Sequence, residues 1–145
     1  MRSNSSSPQK TEQIAFELAR KCRGGEVLAL EGEMGAGKTV FAKGFARGLG
    51  VTDTVTSPTF TVHNIYDAGL ELHHFDFFRL DEKEAETLGL NEFFGNPDAV
   101  CLIEWGEKIK SLLPKEVKTV KIGITGENTR AIEIRQQVTG NRTGK

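Results

Sequence analysis

The chain has 145 residues, 37% of them hydrophobic, with 19 Lys+Arg against 20 Asp+Glu and a formal net charge of −1. That length suits a single domain whose core needs no disulfide staple, and the composition excludes collagen-like and fully disordered classes. The near-neutral balance also excludes a strong unaided grip on phosphate backbones, which usually calls for a basic excess.

Residues 1–10 are polar and serine-rich and carry no apolar h-region, so they read as a flexible N-terminus ahead of one domain over residues 11–138. The longest apolar run, 99–103, spans five residues, far below the roughly 20 that a membrane span needs. No membrane association is expected. Cys22 and Cys101 make no ligand pair in sequence and read as reduced thiols of a cytoplasmic protein.

Ser7-Pro8 is suited to capping a first helix, with Thr11 as an equal alternative. Ile14, Ala15, Leu18 and Cys22 then recur at helical spacing until Gly24-Gly25. Val27-Leu28-Ala29-Leu30 reads as a buried strand bounded by glycines. Phe41, Ala42, Phe45, Ala46 and Leu49 mark a second helix, ended by Gly48 and Gly50. Residues 59–66 and 70–78 flank Asp67-Ala68-Gly69, a hairpin turn. Asp81 and Glu84 form a capping pair for a short helix ending near Gly89. A buried strand over 99–103 follows, then a helix through Ile109, Leu112 and Leu113 that Pro114 stops. Val120/Ile122/Ile124 and Ile132/Ile134 alternate around Gly126-Glu127-Asn128, a second hairpin, and residues 139–145 form a polar tail. This order predicts a three-layer α/β domain with a mixed sheet and added β-hairpins, and together with the glycine-rich motif at 32–39 it predicts a P-loop NTPase-like domain whose sheet is largely parallel.

Gly32-Glu33-Met34-Gly35-Ala36-Gly37-Lys38-Thr39 fits G-x-x-x-x-G-K-[ST]. Shuffling this composition would yield the pattern with odds of roughly one in sixty. Its context, directly after a strand and running into an amphipathic helix, is what makes it specific. Glycines let backbone N–H groups approach phosphates without a Cβ clash, and the helix N-terminus favours anionic charge. Lys38 would reach the β- and γ-phosphates, and the Thr39 hydroxyl would ligate Mg²⁺. The bland alternative is a glycine-rich turn with an exposed lysine.

A P-loop needs acidic partners for the metal. Glu104 follows the 99–103 run and would emerge at the strand's C-terminal end, where parallel α/β sheets bind ligands. Asp76 lies in the apolar setting Leu72-His73-His74-Phe75-Asp76-Phe77-Phe78. The bland readings are a surface carboxylate for Glu104 and an ion pair with Arg79 for Asp76. His73 and His74 are adjacent, so on a strand they face opposite ways and do not form a metal pair. Trp105 reads equally as core packing or as a cover over the nucleotide site. With no convincing internal arginine finger, hydrolysis is expected to be slow unless a partner assists. GTPase motifs (N-K-x-D, D-x-x-G), an ABC signature and an arginine-rich kinase lid are all missing.

Four ordered segments resemble the TsaE family, the bacterial ATPases of tRNA N6-threonylcarbamoyladenosine (t6A37) biosynthesis. They are residues 31–39, then Ser57-Pro58-Thr59-Phe60, then His74-Phe75-Asp76-Phe77-Phe78-Arg79-Leu80, then Ile103-Glu104-Trp105. The likeness runs from about Thr11 to Arg142. It implies an ATPase that drives or resets a complex with two partner proteins, TsaB and TsaD, and reaches tRNA through them. It further implies that Thr39, Asp76 and Glu104 surround Mg²⁺, with Lys38, Asp76 and Glu104 serving hydrolysis and Glu104 positioning the attacking water. ATP would be held by Thr11, Glu33, Met34, Gly35, Ala36, Gly37, Lys38, Thr39 and Arg130, while Ser57, Pro58, Thr59 and Phe60 form a switch-like loop. Met34 is a mild departure from the family pattern. Phe78 replaces the usual Tyr before Arg79, so no role that needs that hydroxyl carries over. Two other readings compete: a small-molecule kinase with Asp76 as base, and a nucleotide-gated binding module with negligible catalysis.

Overall fold

The two apolar runs at 27–30 and 99–103 lie side by side in the middle of a seven-stranded sheet. The computed structural model describes residues 1–33, 35–52 and 63–138. Its strands are β1 (Arg2–Ser5), β2 (Val27–Glu31), β3 (His63–Ala68), β4 (Leu70–Asp76), β5 (Ala99–Glu104), β6 (Glu116–Ile124) and β7 (Arg130–Val138), in the order β1-β7-β6-β2-β5-β4-β3. The helices are α1 (Pro8–Arg20), α2 (Lys38–Leu49) and α3 (Glu82–Glu86), joined by 3-10 segments at Leu90–Glu92 and Gly106–Leu112.

The four central strands β6, β2, β5 and β4 run parallel, and the hairpins β3–β4 and β6–β7 add antiparallel edges. β2 and β5 are covered on both faces, which is why they read as unbroken apolar runs and not as alternating ones. One face packs Leu28, Leu30, Leu72 and Leu102 against Phe41, Phe45 and Ala15 of the two long helices. The other packs Val27, Ala29, Phe75, Cys101 and Ile103 beneath Ala85, Leu90 and Ile109. Helices on both faces of a mixed sheet make the expected three layers.

Several local expectations need correction. Residues 1–10 do not form a loose leader: Arg2–Ser5 pairs antiparallel with β7, and the N-terminal ammonium donates to Ile134 O at 3.0 Å. Strand pairing uses backbone groups that every residue carries, so an edge strand can be polar throughout. Helix α1 begins at Pro8, with Ser7 as N-cap accepting from Lys10 N. Thr11 instead sits inside the helix, its hydroxyl 2.7 Å from that of buried Ser5.

Gly48 does not end α2, which continues to Leu49 and is capped by Gly50 in the left-handed region at φ 104°. Gly44 and Gly48 lie one turn apart where α2 crosses α1, and a Cβ on either would collide with the backbone of Glu12 or Phe16. They are packing residues, not stops. The helix expected near 109–113 is a 3-10 segment kinked at Ile109 (φ −131°, ψ 35°). It does end before Pro114, with Leu113 extended as a residue preceding proline must be. The capping box of Asp81 and Glu84 forms as expected. Among the described residues no helix is long and apolar enough to cross a membrane.

Candidate functional site

The C-terminal ends of β2, β4 and β5 open onto one cavity. From β2 the chain enters the glycine-rich loop and turns directly into α2 at Lys38. Gly37, the N-cap, has φ 107°, a conformation that side chains other than glycine rarely adopt, and it brings no side chain to cap the helix amides. The cavity, about 370 Å³, is lined by Gly35, Gly37, Lys38, Thr39, Val40, Asp76, Phe78, Glu104 and Trp105.

The two acids meet through strand register. Asp76 and Glu104 are partners on the adjacent parallel strands β4 and β5, so their side chains leave the sheet on one face, one strand spacing apart. Each commits one oxygen within the chain. Asp76 Oδ1 accepts the Phe78 N–H at 3.0 Å, and Glu104 Oε2 lies 2.8 Å from His74 Nε2. Glu104 is only 5% exposed, so it is not the surface carboxylate of the bland reading. Arg79 is exposed and does not line the cavity.

Trp105 both packs against the second core and lines the cavity. It is the non-glycine residue with positive φ among those described, at 63°, and the turn carries the chain from β5 into the 3-10 segment. Its ring lies 4.9 Å from that of Phe78, and the Lys38 ammonium sits 4.5 Å above it. Lys108 braces this wall by donating to Phe78 O at 2.6 Å. An aromatic face under Lys38 provides a cation–π resting place for the ammonium.

A second cavity, about 160 Å³, shares Gly35, Gly37 and Val40 with the first and extends to Ser7, Thr11, Glu127, Asn128 and Arg130. The Arg130 guanidinium spends its donors on carbonyls: Nε to Ala36 O at 2.9 Å, Nη2 to Gly35 O at 3.3 Å, and Nη1 to Thr129 O and Gly126 O. It ties the glycine-rich loop to the β6–β7 turn. Glu33 is exposed and lines neither cavity, although its carbonyl accepts from Ala36 N. Met34 and the segment Ser57, Pro58, Thr59 and Phe60 lie outside the described residues.

Arg130, expected from the sequence beside the nucleotide, lines the second cavity, but its hold on the loop is not legible in sequence because it is a contact across more than ninety positions. His74 was passed over with His73. The available signal was the i, i+2 spacing of His74 and Asp76, which places both on the loop's side of β4. His73 does face the other way, where it bonds His63 and Glu71 and packs on Phe93.

Comparison with known proteins gives the family and the fold. The family described as Threonylcarbamoyl adenosine biosynthesis protein TsaE matches residues 5–134. A Bacillus subtilis (strain 168) protein named tRNA threonylcarbamoyladenosine biosynthesis protein TsaE is 46% identical over 136 residues, covering 93% of this chain and 84% of that protein. A protein of the same name from Treponema pallidum (strain Nichols) is 38% identical, covering 92% of this chain and 99% of its own length. The crystal structure of Bacillus subtilis YdiB superposes with a TM-score of 0.81 at 40% identity, covering 98% of this chain and 87% of that one. The chain belongs to the TsaE family of threonylcarbamoyl adenosine biosynthesis proteins.

Proposed function

We propose that this chain is a P-loop ATPase of tRNA threonylcarbamoyladenosine biosynthesis, binding ATP with Mg²⁺ and hydrolysing it to drive or reset a complex with TsaB and TsaD in the cytoplasm. The observation that carries the reading is the convergence of Lys38, Thr39, Asp76 and Glu104 on one cavity at the N-terminus of α2.

The donor set suits the metal. Thr39, Asp76 and Glu104 offer hard oxygens, and among the described residues no group of three His, Cys, Asp or Glu is placed to hold an ion. Mg²⁺ is ordinarily held by one or two carboxylates with phosphates and water, not by an all-protein cage. When bound, it would neutralise charge on the β- and γ-phosphates.

The protein's own groups do the rest. Gly35, Ala36 and Gly37 let the loop backbone approach the phosphates, with Arg130 holding the carbonyls of Ala36 and Gly35. Lys38 exchanges the Trp105 face for the β- and γ-phosphates. Glu104 orients the attacking water, and the cavity beside Thr11 and Arg130 takes the nucleoside end. The near-neutral chain leaves tRNA contact to the partners.

The test is ATP turnover, read as free inorganic phosphate, with and without TsaB and TsaD. Stimulation by the pair is the expected result. Turnover indifferent to the pair would overturn the coupled role.

A further inference from the structure

His74 is 1% exposed, yet its two ring nitrogens are treated unequally. Nε2 bonds Glu104 Oε2 at 2.8 Å, whereas Nδ1 is buried with no hydrogen-bond partner among the described residues. A buried polar group normally finds partners, and an apolar ring among Leu72, Leu102 and their neighbours would leave no orphan. The single bond this imidazole makes falls on the most buried carboxylate of the cavity.

Three proton arrangements could form that bond. If Nε2 alone carries the ring proton and donates, the orphan at Nδ1 is a lone pair. If Nε2 accepts, or if both ring nitrogens are protonated, the orphan is a buried N–H. Orphaned donors are the rarer and costlier case, so Nε2–H donates to Glu104.

Register places this donor behind the acids. His74 precedes Asp76 by two residues on the same face of β4, and it pairs with Leu102 as Asp76 pairs with Glu104. The bond therefore reaches Glu104 from the sheet interior. A glutamate side chain has three rotatable bonds, and a carboxylate tethered at one oxygen keeps a defined direction for the other. We infer that His74 is a positioning residue for Glu104, holding Oε2 so that Oε1 is presented to the phosphate end of the cavity. This rests on the ATPase reading of that cavity and deepens it. Partners of this kind change activity by about ten- to a hundredfold when removed.

The experiment compares His74→Gln, whose amide nitrogen reaches the place of Nε2, with His74→Asn, which is equally polar but too short. ATP turnover of each is measured alone and with Glu104→Gln, alongside ADP affinity by calorimetry. His74→Asn is expected to lower kcat about tenfold or more with KM and ADP affinity within about twofold of wild type. His74→Gln should recover most of the loss, and neither change should matter in the Glu104→Gln background. In ¹⁵N-histidine NMR of the nucleotide-free protein, the His74 proton should reside on Nε2 and shift in Glu104→Gln. Equal kcat for His74→Asn and wild type, equal loss in both backgrounds, or a proton on Nδ1 would overturn the positioning role. If Glu104→Gln itself turns over like wild type, the reading of Glu104 fails and the inference falls with it.

Discussion

Replacing Arg130 by lysine separates two roles that an alanine substitution would confuse. If Arg130 served as a charge beside the phosphates, lysine would substitute well. In the structure, however, its planar fork spans the carbonyls of Ala36 and Gly35, and a lysine ammonium cannot reproduce two fixed N–H directions. The Nε bond to Ala36 O is 2.9 Å long and partly buried, whereas the Nη2 bond to Gly35 O is 3.3 Å long and exposed. A hydrogen bond from a charged group contributes about 1.5–3 kcal/mol, and the exposed one counts for little. The lower end, about 1.5 kcal/mol, corresponds to roughly a tenfold change in an equilibrium constant. Once the tie is cut, the nucleotide must order the loop at its own expense, so the loss passes into binding. Titration calorimetry with ADP and Mg²⁺ should therefore show about tenfold weaker binding for Arg130→Ala, and nearly as much for Arg130→Lys. An Arg130→Lys variant that binds as tightly as wild type would refute the fork and favour a simple charge.

Lys38→Ala should abolish measurable ATP binding while leaving the fold intact, and unchanged affinity by calorimetry would remove the phosphate-site reading. Phe45→Ala empties a fully buried site stacked on Phe41 and should cost about 3–5 kcal/mol in urea unfolding; a loss below about 1 kcal/mol would mean that the α2 core is not packed as described. Burial pushes both the Cys22 and Cys101 thiols up to about 12, so native protein should resist iodoacetamide at about pH 8, with mass spectrometry reading the label. Burial, aided by His73, holds His63 down to about 4 from 6.5. The unfolded chain then binds the extra proton between those values, so stability should fall as pH drops from about 6.5 to 4, and His63→Phe should flatten that slope.

The glycine-rich loop was legible because its pattern is local. A strand, four spaced residues and an amphipathic helix are contiguous, and Gly37 takes the positive φ that its place in the pattern demands. Glu104 was legible for a related reason: a doubly buried parallel strand is a continuous apolar run, and the residue ending it stands at the ligand edge. The N-terminal strand was hidden because backbone pairing leaves no mark on side-chain composition. Gly48 misled because one residue type both ends helices and lets two helices touch. Only the partner α1, distant in sequence, tells those uses apart.

Sequence alone thus determined the class of fold and the glycine-rich motif, and it singled out Asp76 and Glu104 as candidates, since each follows from local periodicity or a contiguous motif. Register between β4 and β5, a property of pairing and not of either segment, decided that Asp76 stands beside Glu104 and that His74 reaches the latter. Closure of the β6–β7 hairpin against the loop decided that Arg130 grips carbonyls. The acids that meet at the cavity come from strands whose order in space differs from their order in the chain, and that order exists only once the sheet has formed.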